Sequence, residues 1–218
     1  MCRIIRVTSV RFWRSLKRLV LFTMLMPCAS LPAWSVEGQW TQLAWNPAGA
    51  PAQISISGHQ RWAIDIADRI YEFNGTLWVQ RPGDARRVSV SSDGDVWVLN
   101  SVGAIYRWAS SHWLPIEGRA KDISAAPGGV LYAIDANGRP MRWASSEQRW
   151  AVMPGELVRI AAAPGGEAWG YNASNLLYRW VGGSWQAVPK PAGVAHLTDL
   201  SVGSDGTVVL VSAQNIWN

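Results

Sequence analysis

Cysteine is almost missing from this chain. Cys2 and Cys28 are the only two in 218 residues. Both precede position 36, so no disulfide can staple residues 36–218 and packing must hold them. Acid is missing from the same opening stretch, where Arg3, Arg6, Arg11, Arg14, Lys17 and Arg18 have no Asp or Glu among them. Long apolar runs are missing as well. Leu19 to Met26 is too short to span a bilayer comfortably. A basic leader, a short apolar run and Ala33-Trp34-Ser35 ahead of Val36 follow the order of a secretory signal peptide. Residues 1–35 are therefore assigned to a signal cleaved before Val36, and residues 36–218 to one exported domain, secreted or periplasmic. No transmembrane span is expected after cleavage. Pro27 stands where lipid attachment at Cys28 would want a small residue, so Cys28 reads as part of the leader.

Charge of one sign is missing once the leader is gone. All 15 acidic residues lie beyond position 35, and 6 of the 20 basic ones lie before it. Twenty less six leaves 14 bases against 15 acids, a net charge of −1. The sequence pI of about 9.6 belongs to the leader. No basic field remains to attract nucleic acid. Catalytic and cofactor motifs are lacking too. His59, His112 and His196 occupy three different repeat positions, with no H-x-x-H or H-E-x-x-H spacing for a metal. There is no G-x-S-x-G, no P-loop and no dinucleotide glycine motif. Asp93-Gly94-Asp95 has the start of a calcium loop without its later Glu, and reads as a turn. The expectation is a protein with no metal, no cofactor and no enzymatic activity. Acid and base in a catalytic site need different environments, and no carboxylate or histidine cluster here breaks the repeat.

What is present is tryptophan, 15 residues of it, thirteen at or after Trp40. Trp40, Trp78, Trp113, Trp150 and Trp185 are spaced by 38, 35, 37 and 35 residues. A short alternating strand follows each of them. A turn comes next, then a strand of small and β-branched residues: Ile54 to Ser57, Val88 to Ser91, Ile123 to Ala126, Ile160 to Ala163, Leu200 to Val202. Two paired strands complete each unit, as in Val96-Trp97-Val98-Leu99 and Ile105-Tyr106-Arg107-Trp108. No helical period occurs anywhere in the repeats. Four short strands in such a unit predict a β-propeller blade, with the small-residue strand innermost. The expected fold is all-β, a five-bladed propeller of four-stranded blades. Four full blades run from about Ala52 to Pro189, and a fifth from near Thr198 has three strands. Gln39-Trp40-Thr41-Gln42-Leu43 is expected to complete it and close the ring, which argues for a complete chain of five blades.

These repeats resemble the tectonin-type β-propeller family, and the tachylectin-like propeller lectins are similar in build. The resemblance runs from Trp40 to the C-terminus and is strongest in Arg86 to Trp113 and Leu157 to Trp185. It departs where Glu72-Phe73 replaces Arg-Trp and where Val209 replaces a second-strand Trp. It implies a non-enzymatic binding propeller, often for glycans or microbial surface polysaccharide, in some members a protein scaffold.

Most of the tryptophans read as packing between blades, since periodic aromatics in a repeat are mostly core. Asp65, Asn100, Asp135 and Asn172 share one repeat position after the second strand. They are candidate acceptors for sugar hydroxyls, and equally they are what a hairpin turn needs. Arg107, Arg142 and Arg179 form a ladder expected to bridge blades, pairing with acids such as Asp122 or Glu156 or lying over Trp rings. Antiparallel strands put the loops at Asp65, Asn100, Asp135 and Asn172 on the same face as the blade-to-blade connections. Those connections are the longer and more varied loops, where binding usually sits. Arg119 and Lys121 lie in one of them and join the candidate ligand residues. The expected partner is a glycan or polysaccharide held by repeated shallow sites. The alternatives are a protein partner in an envelope assembly and, from another class, a propeller lactonase or lyase. A monomer is expected.

Overall fold

The computed structural model describes residues 44–194, 196–212 and 216–217. The chain divides into two units, residues 1–42 and 43–218, and all the described residues belong to the second. The assigned signal peptide and the closing strand at residues 39–43 both lie outside the described residues.

The described residues form strands and one 3-10 turn at Pro164–Gly166. The first sheet is β1 (Pro51–Ser57), β2 (Gln60–Asp65), β3 (Arg69–Phe73) and β4 (Trp78–Asp84). The second is β5 (Arg87–Val90), β6 (Val96–Leu99), β7 (Ala104–Ala109) and β8 (His112–Arg119). The third is β9 (Asp122–Ala126), β10 (Val130–Ile134), β11 (Pro140–Ala144) and β12 (Arg149–Val152). The fourth is β13 (Arg159–Ala162), β14 (Ala168–Tyr171), β15 (Leu177–Val181) and β16 (Ser184–Val188). The fifth has β17 (Leu197–Val202), β18 (Val208–Ser212) and β19 (Ile216–Trp217). Every sheet is an antiparallel meander of consecutive strands. The first strand of each blade is the small-residue strand, and all five line one cavity of about 280 Å³. They surround the axis.

Alternation along a strand sends its two sets of side chains to opposite neighbours. Tyr106 and Trp108 of β7 pack with Trp62 of blade 1. Ile105, next to them, packs with Ile123 and Leu131 of blade 3. The core is therefore a set of layers between blades. Blade 2 presents Val88 and Val90 to blade 1, and blade 4 presents Ile160 and Ala162 to blade 3, all buried. The equivalent Ile54 and Ile56 of β1 are 51% and 56% exposed.

Two rows of hydrogen bonds cross the layers. Near the axis, Ser55, Ser89 and Ser124 accept from the Val90, Ala125 and Ala162 amides of the following blade, at 3.0, 2.9 and 2.9 Å. Gln53 and Asp122 do the same for Val88 and Ile160. At the rim, the tryptophans of β8, β12 and β16 reach back one blade. The indoles of Trp113, Trp150 and Trp185 donate to the carbonyls of Pro82, Glu117 and Pro154, at 2.7, 2.7 and 2.9 Å. Each carbonyl precedes a glycine with positive φ. At Gly118 the indole lies so close that an added Cβ would sit 2.9 Å from Trp150 Nε1. A side chain is excluded there twice, by backbone conformation and by contact. The outer tryptophans also pack tilted or edge-on against tryptophans of the third strand, with ring centroids 4.7 Å apart for Trp108–Trp113 and 5.1 Å for Trp143–Trp150. These rings are packing, as their periodicity implies.

Candidate functional site

One end of the molecule carries tight turns and the other carries the long connections. The hairpin loops after β2, β6 and β10 are bonded to the connections that leave their blades. Ala85, Ala120 and Leu157 donate their amides to the carbonyls of Asp68, Gly103 and Gly138, at 2.8, 2.9 and 2.8 Å. The loops and connections therefore form one face, as the strand directions require.

The four acceptors at the shared repeat position spend their oxygens on their own turns. Asp65 is buried and accepts from the Ala67 and Arg69 amides at 2.9 and 3.0 Å. It also accepts from Arg69 Nε at 2.7 Å and the Tyr71 hydroxyl at 3.2 Å. Burial pushes its pKa up, but the bonds from Arg69 and Ala67 outweigh that and hold it below the ordinary carboxylate value. Asp135 repeats the pattern with Asn137 and Arg139, and its pKa is likewise lowered against burial. Asn100 Oδ1 accepts from the Val102 and Ala104 amides, and Asn172 Oδ1 from the Leu176 amide. These residues shape the face; their acceptor oxygens point into the loops they hold.

Arg119 and Lys121 are placed differently. With Asn100, Val102, Arg86 and Arg87 they line a cleft of about 350 Å³ between blades 2 and 3. The β6–β7 loop forms one wall and the β8–β9 connection the other. No acidic residue lines it. Arg119 donates one N–H to the Val102 carbonyl at 2.7 Å, which leaves four of its five donors. Lys121 has no hydrogen-bond or ion-pair partner among the described residues. Arg86 Nε reaches Asp68 at 3.1 Å, and Arg87 reaches Asp122 at 3.2 Å. Leu99, Ala120 and the 61% exposed Val102 supply apolar surface beside the cations.

The sequence reading missed Arg86 and Arg87 as site residues, and it missed a row of charged residues on the inner strands. Gln53, Arg87, Asp122, Arg159 and Asp199 share one repeat position on the five inner strands, and the sign of the charge alternates from Arg87 to Asp199. Gln53, Arg87, Asp122 and Asp199 line the cavity there. Asp122 is buried between Arg87 at 3.2 Å and Arg159 at 3.4 Å, and Arg159 also reaches Asp199 at 3.4 Å. Burial raises the Asp122 pKa to about 6 against the pull of Arg87 and the Ile160 and Ile123 amides. The signal was present as charge at one fixed repeat position. The arginine ladder is corrected in detail. Arg107 and Arg179 pair with Asp95 and Glu167 of their own blades, at 2.5 and 2.6 Å. They lie 5.7 Å from the ring centres of Trp97 and Trp169, also in their own blades. Asp122 and Glu156 are not their partners, because a side chain on the third strand meets the second strand beside it first. His59, His112 and His196 stay apart, and no group of three metal-ligating side chains occurs among the described residues. No helix among them is long and apolar enough to cross a membrane.

The tectonin domain family model matches residues 50–215 of this chain. The chain belongs to the tectonin family. No curated protein matches this tectonin chain significantly in sequence. Solved structures share its fold at low identity. A structure described as YCF48 bound to D1 peptide is 18% identical, with a TM-score of 0.56 over 79% of this chain and 65% of that one. Virginiamycin B lyase from Staphylococcus aureus is 17% identical, with a TM-score of 0.60 over 77% of this chain and 64% of the lyase. Human WBSCR16 is 11% identical, with a TM-score of 0.63 over 82% and 62%. The tectonin chain thus spans just under two thirds of the length of each of these three. At such identities the likeness concerns the fold.

Proposed function

We propose that this tectonin propeller is an exported, non-enzymatic binding module for surface polysaccharide, working through its loop face as a monomer. The observation that carries the reading is the cleft between blades 2 and 3. It joins apolar surface, which suits the C–H face of a pyranose, to free donors, which suit its oxygens. A rigid scaffold bearing variable loops is where ligands are usually held. The test uses protein recovered outside the cytoplasm, expected to begin at Val36. Arrays of polysaccharides and of peptides are probed side by side. Retention on polysaccharide is expected; retention on peptides alone would replace this reading with that of a protein scaffold. The scaffold reading draws on the peptide named with YCF48. A lyase reading has only its fold likeness behind it.

We also propose that residues 39–43 supply the fourth strand of blade 5. Support comes from the chain just after them. Trp45 packs on Tyr71 and Trp78, with ring centroids 5.3 and 5.2 Å away. Ala63 and Tyr71 share that cluster, and they lie on the side of blade 1 that faces away from blade 2. Ala50 accepts from the Ile66 amide, so residues 45–50 cross the blade as a blade-to-blade connection does. A strand of a preceding blade belongs upstream of such a connection.

A further inference from the structure

The tectonin repeat is broken at the cleft between blades 2 and 3. After the positive-φ glycines Gly83, Gly118 and Gly155 stand Asp84, Arg119 and Glu156. Two positions later stand Arg86, Lys121 and Val158. Only the middle connection is basic at both places. Arg86 and Arg87 from the start of blade 2 also line the cleft, so four basic residues and no carboxylate line it. This happens in a mature chain whose net charge is −1. Repeats that merely solvate a surface have no reason to gather one sign at one junction. Moreover, two of the four carry partners elsewhere, while Arg119 and Lys121 lack an acidic partner among the described residues. Unpaired cations brought together repel, and an anion relieves that repulsion. A planar guanidinium beside an ammonium fits an oxyanion with several acceptors.

We propose that this cleft is a single anion site, which takes the carboxylate, sulfate or phosphate group of an acidic sugar with the ring against Val102. The sugar part rests on the carbohydrate reading above, while the anion part stands on the cations alone. Because the charge pattern occurs once per chain, this site is one per molecule, unlike the repeated sites the periodicity suggests.

The test is an amide NMR titration of the whole exported protein with glucuronate, inorganic sulfate, inorganic phosphate and glucose. Glucuronate, and at least one of the two inorganic anions, are expected to shift the Val102, Gly103 and Ala120 signals. Glucose at equal concentration is expected to bind about tenfold more weakly, a difference of one lost charged contact. Arg119→Ala with Lys121→Ala should weaken glucuronate binding about tenfold or more, and 0.5 M salt should weaken it in the parent. Arg149→Ala, in an exposed pair with Glu147, controls for the loss of a cation elsewhere. Equal binding of glucose and glucuronate, or a double variant that binds like the parent while folded, overturns the anion site. Retention of neutral dextran, unchanged in the double variant, would overturn it too and leave the carbohydrate reading in place. Phosphate shifts at these amides, with acidic peptides retained and polysaccharide not, would keep the anion site and overturn the carbohydrate reading.

Discussion

Asp122 is a carboxylate whose pKa is raised by burial. It sits buried where two blades meet, accepts from the Ile160 amide and holds Arg87 and Arg159. Its pKa is about 6 in the folded protein against 3.8 ordinarily, because burial penalises the charge. The folded state thus binds the proton more tightly than the unfolded chain does. The stabilisation from that proton is complete below about pH 3.8 and is lost as pH rises through about 6. Asp65 and Asp135 run the other way, since their lowered values add stability that disappears only under stronger acid. Between pH 4 and pH 6.5 the Asp122 effect is therefore the one exposed. The melting temperature of the parent should fall across that interval relative to Asp122→Asn, which keeps an acceptor for Ile160. A constant offset between the two proteins would refute the shifted ionisation.

The inner strands show which seams are sewn. Serine occupies the same repeat position in β1, β5 and β9, as Ser55, Ser89 and Ser124, and accepts from the next blade each time. In β13 that position is Ala161, packed and 5% exposed. Blades 4 and 5 are joined instead by Asn175 to the Leu197 amide and by Arg159 with Asp199. Ala161→Ser would place a hydroxyl where the Val202 amide corresponds to Val90, Ala125 and Ala162. The expected gain is about 0.5–1.5 kcal/mol, an ordinary net hydrogen bond, read from denaturant midpoints at unchanged slope. A loss of more than about 1 kcal/mol would mean that the amide is out of reach and the hydroxyl is buried unpaired. The strands themselves were legible in the sequence. Val88 to Ser91 and Ile160 to Ala163 alternate on a period of two, and that period belongs to the backbone. The stitches were there as serines at one repeat position, but read only as small residues. The gathering of Arg86, Arg87, Arg119 and Lys121 was half visible. Arg119 and Lys121 stand on a varied connection, whereas Arg86 and Arg87 come from about 33 residues earlier. Their meeting depends on how the blades curve around the axis, which no local pattern encodes. The acceptors at Asp65 and Asn100 carried two readings at once, because an Asx turn and a sugar-binding oxygen ask for the same residue types.

At the scale of the molecule, the proposed closure concerns the first and last strands. Ile54 and Ile56 lie exposed at 51% and 56%, and Ile216 of β19 at 75%. A strand at residues 39–43 would pair with β19 and bring Trp40 into the rim. Deleting residues 36–45 should then cost several kcal/mol, since the loss of a buried large aromatic alone runs to about 3–5 kcal/mol. A truncated protein that melts with the parent would remove the closure proposal. The rim tryptophans have one more consequence. Trp113, Trp150 and Trp185 tie blades 1 to 4 in succession at the outside while the serines tie them at the axis, so these blades are pinned at two radii. Two pins forbid a hinge. The cleft of Arg119 and Lys121 lies across one such doubly pinned junction, with Trp150 at the rim and Ser89 at the axis. It is a mould cast during folding, and a ligand that enters it spends no energy on shaping it.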